Sequence, residues 1–265
     1  AQRTPPEPED DMGPSSPALA GQTGPTDPFA SEKRVPPCLG VFPMCGRFTL
    51  RAPAQVIVEQ FQLSLPVQWT PRFNIAPTQP VLVVVEHPAG QRIARPMSWG
   101  LVPSWAKDPS MASSLINARS ETVAEKPSFR AAFRRRRCLV VADGYYEWKT
   151  ENKLKQPYLI HQPSGMPFGI AGLWETWGDS AWETCTLITT DASEPLRPIH
   201  NRMPVILEPD VFSQWLDPNL ENPAQLLPLL RPADPDRLIA EPVSRHVNNA
   251  RNDDPECVTV VRTLF

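Results

Sequence analysis

Long apolar runs are missing from this chain: no stretch approaches the roughly 18 consecutive apolar residues of a membrane-spanning helix, so no membrane span of that kind is expected. Cysteine is scarce. The five present (Cys38, Cys45, Cys138, Cys185 and Cys257) are widely separated, odd in number and include no Cys-x-x-Cys pair. That pattern argues against a disulfide framework or a zinc site and favours free thiols in a reducing compartment. There are only four histidines, His87, His161, His200 and His246, and their spacing fits no metal-ligand motif, so neither a metal nor a cofactor is expected. Basic residues are not in excess either: 26 Lys and Arg face 29 Asp and Glu, a net charge of −3 that does not by itself announce a polyanionic partner. Glycine stands at 12 while proline reaches 34 of 265 residues, yet 41% hydrophobic content with 8 Trp and 10 Phe is enough for a sizeable core. The prolines are therefore unevenly placed, or sit in the turns of a loop-rich fold.

Uneven placement is what the sequence shows. Residues 1–43 hold ten prolines, six acids and three bases, with few aromatics, a composition that buries too little apolar area to offset the entropy of ordering. The segment reads as a disordered acidic leader without an export signal, which would need a basic start and an apolar stretch. Removing its six acids and three bases leaves 23 of each, so residues 44–265 form a neutral domain of about 220 residues. Short apolar runs bounded by proline predict strands at 47–50, 81–85, 93–99, 138–142, 158–161, 168–172, 185–190, 205–207 and 258–264. Helical spacing after a proline predicts helices over 53–61 and 209–216, with a third at 128–133 leading into four arginines, Arg134 to Arg137. The fold class is α+β, mostly antiparallel, with a few helices.

Four constellations carry chemistry. Met44-Cys45-Gly46-Arg47-Phe48 stands where leader meets domain. An arbitrary Cys45 is a small buried hydrophobe. As the first residue of a chain it carries an α-amine and a thiol two carbons apart, both partly available near neutrality. That pair captures an aldehyde twice, as a Schiff base and then as a thiazolidine ring. Next, Asn117, Arg119 and Glu121 alternate with small residues, so on an extended segment they share one side: either a polar pocket, with Glu121 orienting an arginine, or an exposed polar strand face. Glu147, between Tyr146 and Trp148, is either a desolvated carboxylate fit for proton transfer or a solvent-facing residue on an aromatic-rich edge. Finally, His200 and Arg202 lie between Pro198 and Pro204, a setting that suits either a general acid or base or a structural histidine.

Arg72, Asn74 and Trp105 lie beside loop-forming residues and are suited to phosphate contact and base stacking, with core packing as the default for a tryptophan and expected for Trp99. The arginine run 134–137 concentrates positive charge that nucleic acid would sense.

Singly these signals are weak, but their order is distinctive. Met-Cys-Gly-Arg-Phe, Arg-Phe-Asn-Ile-Ala-Pro-Thr, Trp-Gly-Leu-Val-Pro-Ser-Trp, Asn-Ala-Arg-Ser-Glu-Thr, Asp-Gly-Tyr-Tyr-Glu-Trp and Ile-His-Asn-Arg-Met-Pro follow one another from Met44 onward, and the chain to about Val261 resembles the SOS response-associated peptidase (SRAP) family. The resemblance implies a single domain with a barrel-like β core that shields abasic sites in single-stranded DNA through a covalent thiazolidine link. Carried over by motif, Cys45 is the nucleophile, Asn117 positions the amine and sugar, Glu147 handles protons at the amine, and His200 assists sugar-ring opening. Arg47, Arg72, Arg119 and Arg202 would hold phosphates, with Asn74 and Trp105 near flanking nucleotides. A monomer in the cytoplasm, at the nucleoid when bound to DNA, is expected, with weak lyase activity if ring closure fails.

The leader departs from this pattern, because an internal Cys45 has no free amine. Either translation starts at Met44 or the domain removes the leader itself. Two other functions compete: a thiol-dependent (auto)peptidase cutting before Cys45, and a non-covalent single-strand binding module.

Overall fold

A computed structural model of the chain describes residues 1–2, 46–87, 90–151 and 154–262; all but the first two residues of the leader, together with Met44 and Cys45, lie outside the described residues. Its strands are β1 (Phe48–Leu50), β2 (Arg72–Ile75), β3 (Pro80–Glu86), β4 (Arg92–Trp99), β5 (Asn117–Arg119), β6 (Arg137–Ala142), β7 (Gly144–Glu151), β8 (Leu154–His161), β9 (Phe168–Trp177), β10 (Trp182–Asp191), β11 (Arg202–Pro204), β12 (Ile206–Leu207) and β13 (Ile239–Pro242). The helices are short: α1 (Ala54–Phe61), α2 (Arg130–Arg135), α3 (Phe212–Leu216) and α4 (Pro223–Leu226).

Five strands close on themselves. β4, β3, β6, β9 and β10 pair antiparallel in that order, and a parallel pairing of β10 with β4 completes the ring. β3 and β6 are buried along both faces, which is why Val81 to Val85 and Cys138 to Ala142 read as unbroken apolar runs rather than alternating ones. A second, antiparallel sheet has the order β13-β8-β7-β1-β2 and packs one face on this barrel.

The helices lie against the barrel for reasons visible in the sequence. In α1, Ile57 and Phe61 are four apart and share its buried face, and Phe61 stacks on Phe212 of α3 with ring centroids 5.5 Å apart. Arg137 fixes the ends of two helices: its guanidinium donates to the carbonyls of Phe133 at 2.8 Å and Trp215 at 2.6 Å, and to Arg134 and Asp217. It satisfies carbonyls that a helix C-terminus otherwise leaves open, and burial lowers its pKa to about 10.

This placement narrows the reading of the arginine run as a patch for nucleic acid. Arg137 is buried and Arg136 is paired with Glu175, whereas Arg134 and Arg135 are exposed, Arg135 beside Glu221. The strand expected over 258–264 is corrected. Pro255–Val258 is a 3-10 turn, Val260 makes a lone bridge to Val243, and residues 263–265 lie outside the described residues. Pro255 lacks an amide donor, and the Asp254 side chain caps the turn by accepting from the Glu256 amide at 2.9 Å. β2 and β13 fall where no strand was expected, and β7 and β8 extend through the aromatic motif as a long antiparallel pair.

Candidate active site

Glu147 stands on β7, opposite Tyr158 of β8, and is only 3% exposed. The desolvation expected of it is therefore real, but its neighbours in sequence are not the cause. Side chains alternate along a strand. Tyr146 and Trp148 point away from the barrel, where the Tyr146 hydroxyl donates to the Phe73 carbonyl at 2.7 Å and the Trp148 indole to Asn248 Oδ1 at 2.7 Å. Glu147 shares the opposite face with Tyr145, the face that packs on the barrel core. Burial, reinforced by nearby acidic groups, pushes the Tyr146 phenol well above its ordinary range.

β1 runs antiparallel beside β7, with Phe48 opposite Tyr145 and Thr49 opposite Gly144, and the Tyr146 amide donates to the Arg47 carbonyl at 3.0 Å. That register carries the chain to Gly46 alongside Glu147. Gly46 is buried, and Cys45 is bonded to it.

Arg47 is 4% exposed and its Nη1 donates to Asn74 Oδ1 at 2.9 Å and to the Val247 carbonyl at 3.0 Å. Asn74 in turn donates to the carbonyls of Asn249 at 3.1 Å and Asn252 at 2.7 Å. Arg72 pairs with Asp253, whose other oxygen accepts from the Phe73 and Asn74 amides at 2.6 and 2.9 Å. These three residues tie β1 and β2 to the segment 244–258. Burial lowers the pKa of Arg47.

A second group collects at the end of β10. β5 lies parallel on one side of that strand, with Asn117 opposite Leu187 and Arg119 opposite Thr189. β11 lies antiparallel on the other side, with Arg202 opposite Asp191. Along β5 Ala118 is buried while Asn117 is half-buried and Arg119 exposed, the alternation expected from the motif. Arg202 is held bidentately by Glu121, Nη1 to Oε1 at 2.6 Å and Nη2 to Oε2 at 3.0 Å, and also donates to Asp191 at 2.7 Å and the Thr189 carbonyl at 2.8 Å. Glu121 thus orients an arginine, but one 81 positions distant rather than its neighbour Arg119. That bond holds the Glu121 carboxyl below its ordinary pKa. His200, half-buried, receives the Arg202 amide proton on Nδ1 at 3.1 Å, which leaves Nε2 as the protonated nitrogen of the neutral ring.

Two tryptophans set the surroundings. Trp99 is core, as expected. Its ring lies 5.1 Å from that of Phe48, and its indole donates to the Ile116 carbonyl at 2.9 Å, so the residues preceding Asn117 and following Arg47 rest on one buried side chain. Gly100 follows with φ +137°, and a Cβ there would stand 2.5 Å from the Ala112 carbonyl oxygen, so the turn into the next loop requires glycine. That loop carries Trp105, 58% exposed, and is pinned by the Ser104 amide on Glu175 at 3.1 Å and by the Trp177 indole on the Ala106 carbonyl at 2.8 Å.

Glu121, Asp191, Asp253 and Glu175 position the expected site residues. Of these, only Glu121 carries a signal in the sequence, through its alternation with Asn117 and Arg119.

A barrel of this topology with a polar cluster at one strand end and an aromatic loop beside it defines a class, and comparison identifies it. The family model for SOS response associated peptidase (SRAP) matches residues 44–250, and the chain belongs to that family. It is 41% identical over 222 residues to the abasic site processing protein YoqW of Bacillus subtilis, covering 81% of this chain and 99% of that protein. It is 34% identical over 227 residues to the abasic site processing protein HMCES of Xenopus tropicalis, covering 73% and 67%. Among solved structures, a protein from Bacteroides thetaiotaomicron superposes with a TM-score of 0.71 at 26% identity, over 82% of this chain and all of that one.

Proposed function

We propose that this protein processes abasic sites in single-stranded DNA by forming a thiazolidine cross-link through the amine and thiol of Cys45. The observation that carries this reading is the register of β1 on β7, which brings Gly46, the residue bonded to Cys45, alongside the buried carboxylate Glu147. Relatives that bear the name abasic site processing protein supply the substrate class.

The chemistry follows from the groups. An abasic sugar is mostly a closed hemiacetal, so a donor is needed at its ring oxygen; His200 gives its Nε2 proton to that oxygen, and the proton released by the anomeric hydroxyl returns to the imidazole, which ends neutral. The opened aldehyde is attacked by the neutral amine of Cys45, whose proton passes to Glu147, and loss of one water gives the imine. The Cys45 thiol then passes its proton, by way of Glu147, to the imine nitrogen as its sulfur adds to the imine carbon, closing a five-membered ring with no further leaving group. Asn117, half-buried at the head of β5, orients the amine and the sugar. Arg119 and Trp105, both exposed, contact phosphate and a flanking base. Arg47, Arg72 and Asn74 shape the wall behind them, and Arg202 reaches a phosphate by exchanging a carboxylate partner. If ring closure fails, the imine allows β-elimination, a weak lyase activity.

The mechanism requires Cys45 to lead the chain, through translation from Met44 and loss of that methionine or through cleavage of the Met44–Cys45 bond. The second route is the autopeptidase reading, favoured by the same register, with the Cys45 thiol as nucleophile and Glu147 and His200 as proton carriers. In either case the test is a denaturing gel: protein beginning at Cys45, mixed with single-stranded DNA bearing one abasic site, gives a heat-stable shifted band that Cys45→Ala abolishes. Equal binding to undamaged DNA with no covalent band would favour the non-covalent module.

A further inference from the structure

The segment 244–258 brings together three groups that the sequence keeps apart. One imidazole nitrogen of His246, a carboxylate oxygen of Asp254 and Sγ of Cys257 all lie within 4.8 Å of one another, the one such cluster of potential metal ligands among the described residues. His246 Nε2 is 2.9 Å from Asp254 Oδ2, while the other Asp254 oxygen is occupied by the Glu256 amide. On the far side of the ring, His246 Nδ1 meets the Asn252 side-chain amide nitrogen at 3.1 Å, with Glu256 Oε1 farther off at 3.7 Å. Cys257 is fully buried, its thiol directed at the Asn252 carbonyl at 3.5 Å, whereas the Asp254 side chain is 48% exposed and gives access from solvent.

We propose that His246, Asp254 and Cys257 form a binding site for a borderline-soft divalent metal ion, zinc by the chemistry of the donors. Nitrogen, oxygen and thiolate sulfur together suit zinc over calcium or magnesium, which take oxygen alone. The ligand atoms of a tetrahedral zinc site stand about 3.3 to 3.8 Å apart, so the His246–Asp254 pair at 2.9 Å would open slightly and Cys257 would draw in by up to about 1 Å. Water completes the coordination. Nδ1 then carries the ring proton toward the Asn252 side chain, with Glu256 beyond it, outer partners that fix the ring. The thiol proton leaves to solvent as the sulfur–metal bond forms, and the dication offsets the crowded charges of Asp253, Asp254 and Glu256. The spacing, with seven residues between His246 and Asp254 and two between Asp254 and Cys257, matches no familiar motif, which is why the sequence predicts no metal here. Occupancy would brace the turn whose Val247, Asn249 and Asn252 carbonyls hold Arg47 and Asn74. The site stands or falls independently of the abasic-site chemistry.

The test is a titration of the full chain, carrying Cys38→Ser and Cys45→Ala, with cobalt(II) chloride. Among the described residues, Cys257 is the one thiol that stands within a cluster of other potential ligands, so it is the thiol that can respond. One equivalent should produce a sulfur-to-cobalt charge-transfer band and strong visible bands of four-coordinate cobalt, displaced by zinc. Cys257→Ser should remove the charge-transfer band. His246→Gln and Asp254→Asn, which preserve shape, should each weaken binding by at least about tenfold, since loss of even an outer-shell partner typically costs that much. Absence of the band, its survival in Cys257→Ser, or unchanged affinity in both His246→Gln and Asp254→Asn would overturn the assignment.

Discussion

The backbone amide of Arg202 donates to Nδ1 of His200 at 3.1 Å, so one residue of the Ile-His-Asn-Arg-Met-Pro motif sets the tautomer of another. The same Arg202 is locked by Glu121 and Asp191, so that the orientation of His200 depends on carboxylates from β10 and the segment after β5.

If His200 acts as the proton donor to the sugar, His200→Ala lowers the rate of adduct formation by about a hundredfold or more, the usual weight of a positioned acid or base. Glu147→Gln has a comparable effect. Single-turnover cross-linking measures both, and affinity for undamaged single-stranded DNA should be unchanged in each.

Trp105 is exposed and touches DNA in this account rather than the core. Trp105→Ala weakens single-strand binding by about 1–3 kcal/mol, the contribution of one stacked base. Thermal stability should move by no more than about 0.5 kcal/mol, as for other surface changes. Fluorescence anisotropy and calorimetry separate the two.

Trp99 is the opposite case. Trp99→Ala should cost about 3–5 kcal/mol of stability by opening a cavity between β1 and β4, and it also leaves the Ile116 carbonyl without its donor. Denaturant unfolding checks this, and Trp99→Phe should recover part of the loss.

The Arg202–Glu121 pair predicts a direction with pH. The folded carboxyl titrates below its ordinary value of 4.5, so its contribution is present above that value and is lost as pH falls through the depressed folded pKa. Melting temperature measured from pH 6 down to pH 3 should fall less steeply in Glu121→Gln than in the parent. A steeper fall would contradict the assignment.

The barrel strands were legible because β3, β4 and β6 are continuous or alternating apolar runs, and α1 because Ile57 and Phe61 keep helical spacing. β2 was not, since Arg72-Phe73-Asn74-Ile75 is half polar and is held by the remote Asp253 rather than by its own pattern. The apolar residues from Val258 onward suggest a strand, but Asp254 and Pro255 set a 3-10 turn over Pro255–Val258 that leaves Val260 a single bridge to Val243. Motif residues at the site could be picked out by type and order. Their partners could not, because Glu121 meets Arg202 and Val247 meets Arg47 across 81 and 200 positions of sequence, contacts that only the folded chain makes.

The most direct measurement is tandem mass spectrometry of the Cys45 peptide after reaction with abasic single-stranded DNA. The account predicts one sugar remnant per chain, attached at Cys45 with loss of one water and with both the amine and the thiol consumed. A remnant on a lysine, an adduct that leaves the Cys45 thiol free to alkylation, or an equal yield from protein whose Cys45 amine is acetylated would contradict it.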